Sequence, residues 1–186
     1  MAAQLVIGVD VGGTKVSVAA MRDGEFGEPL VRPTDRSSTD ALIAQLVASV
    51  GEVAAGEVPV AVGVGIPSVV EFATGLVRSS TNIPLADVPL RTVLGEKLGT
   101  SAFVDNDATV AALAEAHDEG GRLAAHCLVL LAVGTGVGSG IVIDGRAFRG
   151  ATGAAGEVGH TLVTIDEAIP AATRFPQPGS LEALAA

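Results

Sequence analysis

Gly8-Val9-Asp10-Val11-Gly12-Gly13-Thr14-Lys15 decides the fold. The short apolar run Leu5-Val6-Ile7 ahead of it reads as a buried strand. Val16, Val18 and Ala20 alternate with Ser17 after it, so a second strand follows the glycines. Two adjacent glycines let backbone N–H groups approach an anion with no Cβ in the way. Thr14 adds a hydroxyl donor, Lys15 a positive charge, and Asp10 at the strand end a carboxylate able to hold hydrated Mg²⁺. The plainer reading is a hairpin turn with an ordinary Asp and Lys at its lip. A Walker loop is excluded, because the Gly-x-x-x-x-Gly-Lys-[Ser/Thr] spacing is missing and a strand, not a helix, follows.

Composition narrows the class. The chain has 186 residues, 48% of them hydrophobic, which argues against disorder. Lys and Arg number 11 against 21 Asp and Glu, a formal charge of −10, and no basic stripe marks a nucleic-acid footprint. The single cysteine, Cys127, excludes an internal disulfide and a Cys-rich metal site. Within Cys127-Leu128-Val129-Leu130-Leu131 it is expected to be a core thiol. The N-terminus lacks a basic segment followed by an apolar one, so no signal peptide is read. Leu123 to Ile143 carries no Asp, Glu, Lys or Arg and is long enough to span a bilayer. Its glycines at 134, 136, 138 and 140 favour two strands around a turn instead. The expectation is a cytoplasmic protein with no membrane and no nucleic-acid partner.

Along the chain, residues 4–33 read as three strands, with Asp23-Gly24 a hairpin signal. Ser38 or Thr39 caps a helix over 40–55 with Leu42, Leu46, Val50 and Val53 as its apolar stripe, ended by Gly56. A strand over 58–65 completes a parallel crossover. A hairpin at 69–78, a loop holding Asn82, a helix near 90–99 and a strand at 102–104 follow. Asp105-Asn106-Asp107 opens a helix over 108–119, and Gly120-Gly121 stops it. Strands at 127–133 and 139–143 then repeat the strand, glycine turn, strand pattern of residues 5–20. A glycine-rich loop at 149–160, a strand at 161–165, an irregular stretch at 170–179 and a helix capped by Ser180 end the chain.

Three further motifs carry chemistry. Gly134-Thr135-Gly136-Val137-Gly138 is a candidate for a second phosphate cradle, through a hydroxyl and glycine N–H groups; a bulged hairpin is its bland alternative. Asn106-Asp107 lies at a carboxyl strand end, where ligands of α/β sheets bind. A carboxylate there can take a proton from a hydroxyl attacking a γ-phosphate, although Asp and Asn are also ordinary helix caps. In Gly153-Ala154-Ala155-Gly156-Glu157-Val158-Gly159-His160, a carboxylate and an imidazole three residues apart can both reach a polyol.

The first stretch resembles phosphate motif 1 of the actin-like ATPase and sugar kinase superfamily, and Asp-x-Gly-Gly-Thr-Lys resembles the ROK family of sugar kinases and sugar-responsive repressors. The resemblance implies an α/β, actin-like and ribonuclease-H-like fold. A first domain would cover residues 1–117, and a second would start at 122 and stop incomplete at 186, since the family normally runs on. It implies ATP and Mg²⁺ as cofactors and a small-molecule sugar as substrate, with a homodimer left open. Val104-Asp105-Asn106-Asp107-Ala108 is similar to the family's catalytic stretch, which makes Asp107 the general base and Asn106 a sugar ligand. Glu157 and His160 match its sugar-binding segment, Glu182 a further sugar-binding Glu, and Asn82 a loop Asn of the sugar pocket. Asp10, Gly12, Gly13, Thr14, Lys15, Gly134, Thr135, Gly136 and Gly138 would hold the nucleotide phosphates and metal. The implied reaction is phosphorylation of glucose at its 6-hydroxyl. N-acetylglucosamine, N-acetylmannosamine, mannose or fructose as substrate, polyphosphate as donor, an inactive sugar-binding remnant and a sugar-sensing regulator are the rivals. The regulator would need a DNA-binding part ahead of Leu5.

Two departures stand out. The family's Cys-x-Cys-Gly-x-x-Gly-Cys zinc segment aligns here with Thr173, Phe175 and Ser180, so no zinc site is expected. Ser68 stands where the family has Gly after Ile-Pro.

Overall fold

Period-two burial sets the first strand of the computed structural model, which describes residues 4–134, 136–164 and 176–185. In β1 (Leu5–Val11), Leu5, Ile7, Val9 and Val11 are buried while Gly8 and Asp10 are exposed. The chain divides into two compact units, Met1–Asp107 and Ala108–Ala186.

In the first unit, β2 (Lys15–Arg22) returns antiparallel to β1, pairing Val11 with Val16 and Asp10 with Ser17. β3 (Glu25–Phe26) and β4 (Leu30–Pro33) both pair with β2. Asp23 at φ 51° and Gly24 at φ 86° make the expected tight turn before β3. α1 (Thr39–Ala54) starts where the Ser38 side chain accepts the Ala41 N–H. It ends one residue earlier than expected: Ala55 itself adopts the left-handed conformation at φ 52°, with Gly56 behind it at φ 89°. Its Leu42, Ile43, Leu46 and Val50 join Ile7, Val9, Val62 and Val64 in one core.

β5 (Ala61–Ile66) lies parallel to β1, and the hairpin of β6 (Ser68–Glu71) and β7 (Leu76–Ser80) follows. α2 (Leu90–Leu98) buries Leu90 and Leu94 in the same core, and β8 (Ser101–Asn106) pairs parallel with β5. The resulting order, β3-β2-β1-β5-β8, brings three parallel carboxyl ends side by side. This sheet is the platform for the candidate residues of the first unit.

α3 (Asp107–Glu115) begins on the last residue of the first unit. It is shorter than the expected 108–119. Asp118 takes over after it, accepting the Gly120 and Arg122 N–H groups in a turn that Gly121 completes at φ 71°. In the second unit β9 (Cys127–Val133), β10 (Val137–Ile143) and β11 (Arg146–Ala147) form an antiparallel sheet in the order β11-β10-β9. The long uncharged stretch is thus a β-hairpin, and no helix among the described residues is long and apolar enough to cross a membrane. Gly140 explains how closely α3 packs on β10: a Cβ there would stand 2.2 Å from the Ala108 carbonyl oxygen.

Two expectations change here. Cys127 is exposed rather than a core thiol, because β9 alternates. Leu128 and Leu130 pack with Ala112, Ala116 and Val142, which leaves Cys127, Val129 and Leu131 on the opposite, open face. The strand expected at 161–165 is reduced over its described part to one bridge, Leu162 with Ser180. A 3-10 turn at Val158–His160 and a short α4 (Leu181–Ala185) follow among the described residues.

Candidate functional site

The register of the first sheet assembles its side of the site. Asp10 on β1 pairs with Gly65 on β5, and Gly65 pairs with Asp105 on β8. Asp10 and Asp105 therefore stand in one row at the carboxyl ends, two strand spacings or roughly 10 Å apart. Asn106 and Asp107 lie just beyond that row. Asp10 is exposed, Asp105 is buried and Asp107 is half-buried at the start of α3. The Asn106 N–H donates to Asp105 Oδ1 at 3.0 Å, and its side-chain amide reaches toward the Ser68 carbonyl at 3.5 Å.

The first glycine turn closes tightly, with the Gly12 N–H donating to the Lys15 carbonyl at 2.8 Å. Neither Gly12 nor Gly13 adopts positive φ, so a left-handed turn is not what their lack of a side chain serves. Gly13 is required for space instead: a Cβ there would sit 3.2 Å from the Asn82 Cβ. That approach brings the loop residue Asn82 against the first glycine turn. Thr34 fastens the turn from below. Its N–H donates to the Thr14 carbonyl at 3.0 Å and its hydroxyl to the Gly12 carbonyl at 2.7 Å. Gln45 of α1 in turn holds the Thr34 segment, donating to the Pro33 carbonyl and accepting the Asp35 N–H. With Gly12 and Thr14 carbonyls tied back, the N–H groups of Gly13 and Thr14, the Thr14 hydroxyl and the exposed Lys15 are what the turn offers to an anion. Thr34 was invisible to motif reading, because only the pairing of β4 with β2 brings it there.

The second unit presents its own group. The Gly134 N–H donates to the Gly136 carbonyl at 2.9 Å, closing the second glycine turn; Thr135 lies outside the described residues. Gly138 lies within β10, where a Cβ would meet the Ala108 Cβ at 3.3 Å, so helix packing gives that glycine a reason of its own. Glu157 and His160 face each other across 3.4 Å, both partly exposed. Ser139, buried on β10, donates to the Gly156 carbonyl at 2.6 Å and holds this loop on the sheet. Glu182 on α4 accepts the Val137 N–H at 2.9 Å.

The first unit thus gathers Asp10, Gly12, Gly13, Thr14, Lys15, Asn82, Asn106 and Asp107, and the second Gly134, Gly136, Glu157, His160 and Glu182. An exposed carboxylate beside a glycine turn, as Asp10 is, would suit Mg²⁺, which keeps most of its waters and takes its remaining oxygens from a bound phosphate. At the zinc-segment positions, Ser180 is buried and caps α4 through the Ala183 N–H; Thr173 and Phe175 lie outside the described residues. Among the described residues no three His, Cys, Asp or Glu side chains converge as a metal site.

The ROK family model matches residues 6–186. The chain belongs to the ROK family. A glucokinase of Halalkalibacterium halodurans is 36% identical over 171 residues, 88% of this chain and 52% of that protein. An N-acetyl-D-glucosamine kinase of Aliivibrio fischeri is 37% identical over 86% of this chain and 53% of its own length. A xylose repressor of Caldicellulosiruptor bescii is 39% identical over 57% of this chain and 26% of its own. Among solved structures, the ROK hexokinase from Thermus thermophilus superposes with TM-score 0.75 at 35% identity, over 97% of this chain and 60% of that one. The ROK glucokinase from Streptomyces griseus, solved with glucose and AMPPNP, gives TM-score 0.76 at 30% identity, over 86% of this chain and 51% of that one. The fold is accordingly that of the actin-like sugar kinases, and this ROK chain spans about half the length of the curated relatives it matches.

Proposed function

We propose that this ROK chain carries the phosphate turns and sugar-binding residues of an ATP-dependent hexose kinase acting on glucose. The observation that supports the reading is the row Asp10, Gly65, Asp105, which brings the Asp10 carboxylate and the Asn106-Asp107 pair to neighbouring carboxyl strand ends of one sheet. ATP would supply the phosphoryl group, with Mg²⁺ held through water by Asp10 to offset its charge. Asp107 accepts the proton of the sugar 6-hydroxyl as that oxygen bonds to the γ-phosphorus. The bond from the γ-phosphorus to the bridging oxygen breaks, and ADP leaves. Phosphoryl transfer depends mainly on positioning and electrostatics, so the turns contribute by holding phosphate while Asn106, Glu157, His160 and Glu182 orient hydroxyls. A cytoplasmic location goes with ATP as donor.

N-acetylglucosamine is the second candidate substrate, favoured by relatives with that activity at identities as high as those of the glucokinases. A coupled ADP-release assay across glucose, N-acetylglucosamine, N-acetylmannosamine, mannose and fructose, with ATP and polyphosphate as donors, tests the reading. Turnover with glucose and ATP above the other pairs supports it. Sugar binding without ADP release from any pair overturns it in favour of a sensor.

A further inference from the structure

The Glu182 carboxylate sits where two backbone segments of the second unit come together, Gly136-Val137 and the stretch carrying Gly159. Its Oε2 accepts the Val137 N–H at 2.9 Å, at the point where the second glycine turn enters β10. The same oxygen occupies the space two glycines leave open: a Cβ on Gly136 would lie 2.8 Å from it, and one on Gly159 would lie 3.3 Å away. Gly159 belongs to the segment that carries Glu157 and His160, and a Cβ there would also strike the Val137 carbonyl oxygen at 2.3 Å. Gly159 does not have positive φ, so close approach explains why it is a glycine.

We infer that Glu182 is a positioning residue for the second glycine turn, in addition to any sugar hydroxyl it meets, and so links the sugar segment to nucleotide phosphate binding. The inference rests on the kinase reading for the turn's role, but the hydrogen bond itself does not. Two effects of Glu182 oppose each other. Its bond holds the Val137 amide and hence the turn. Its negative charge, close to Gly136, disfavours a phosphate. Sugar hydroxyls that donate to Glu182 would soften that charge while the bond persists, so sugar and nucleotide binding are coupled, and the coupling is reciprocal.

Two substitutions separate these effects. Glu182→Gln keeps an oxygen that can accept the Val137 N–H and removes the charge. Glu182→Ala removes both. Hydrogen exchange at the Val137 amide and AMPPNP affinity are measured on the 186-residue chain, without sugar, for the wild type and both variants. A bond to a charged acceptor corresponds to roughly 10- to 100-fold slower exchange. The expected result is fast exchange in Glu182→Ala, protection near wild type in Glu182→Gln, and AMPPNP affinity about tenfold weaker in Glu182→Ala than in Glu182→Gln. A residue that serves only as a sugar ligand would move neither readout in the absence of sugar. Unchanged exchange in Glu182→Ala overturns the inference, as does equal AMPPNP affinity in the two variants. Failure of the wild type to bind AMPPNP counts against the kinase reading instead, and the exchange comparison then decides alone whether Glu182 holds the turn.

Discussion

Asp107 begins α3 against the bare face of Gly65: the place a β-carbon would take on Gly65 is 3.4 Å from the Asp107 Cα. Gly65 sits between Asp10 and Asp105 in the sheet register, so it sets how closely the helix start comes down on the strand ends. An alanine would be in ordinary van der Waals contact there, whereas a β-branched side chain would push Asp107 outward. In a catalytically active form of the protein, Gly65→Ala should keep most of its activity. Gly65→Val should lose on the order of 10²-fold in kcat, the cost of misplacing a reacting group by about 1 Å. Equal turnover of the two variants, measured at saturating sugar, would show that Asp107 tolerates displacement and is not the base.

Asp107→Asn probes the same group chemically. Asparagine retains the shape and capping ability of aspartate but cannot accept the proton. Turnover should fall by roughly 10²–10⁴-fold, with sugar affinity by calorimetry little changed. Near wild-type turnover would reduce Asp107 to a helix-opening residue.

Metal analysis addresses the departure from the family's zinc segment. Cys127 is exposed on β9, and Ser180 spends its hydroxyl on α4. His160 has Glu157 beside it at 3.4 Å. Chelator-washed protein should carry no stoichiometric zinc by elemental analysis, and a chelator should leave its thermal midpoint unmoved. One tightly held zinc per chain would mean that the ligands lie elsewhere.

Local chemistry made much of this legible. Strand alternation, the Asp23-Gly24 turn, the Ser38 cap and both glycine turns are written within a few residues each, and they appear close to where they were expected. What escaped was set by pairing between distant segments. Thr34 reaches the first turn only because β4 lies along β2. Gly13 is small for the sake of Asn82, and Gly138 for the sake of Ala108. Ser68, a departure from the family's glycine, is accommodated because its hydroxyl, though buried, meets that of Ser80 at 2.9 Å. The exposure of Cys127 is not legible in the sequence, because an unbroken apolar run reads the same whether one face of its strand is covered or two.

The open face of β9 has a physical consequence. Val129, Leu131 and Val133 are 64%, 60% and 65% exposed on an edge strand of the three-stranded sheet. An exposed, apolar edge strand is a template for pairing with another chain. The 186-residue chain should therefore self-associate with rising concentration, and its sedimentation coefficient should increase accordingly. Leu131→Lys places a charge on that face without touching the packed side, where Leu128 and Leu130 meet Ala112, Ala116 and Val142. The variant should stay monomeric to higher concentration, with its thermal midpoint within a few degrees of the parent, as expected for an exposed substitution. If the wild-type chain sediments as a monomer throughout its soluble range, β9 is not an association surface. If Leu131→Lys instead unfolds the second unit, that face of β9 is packed in solution and is not an association surface.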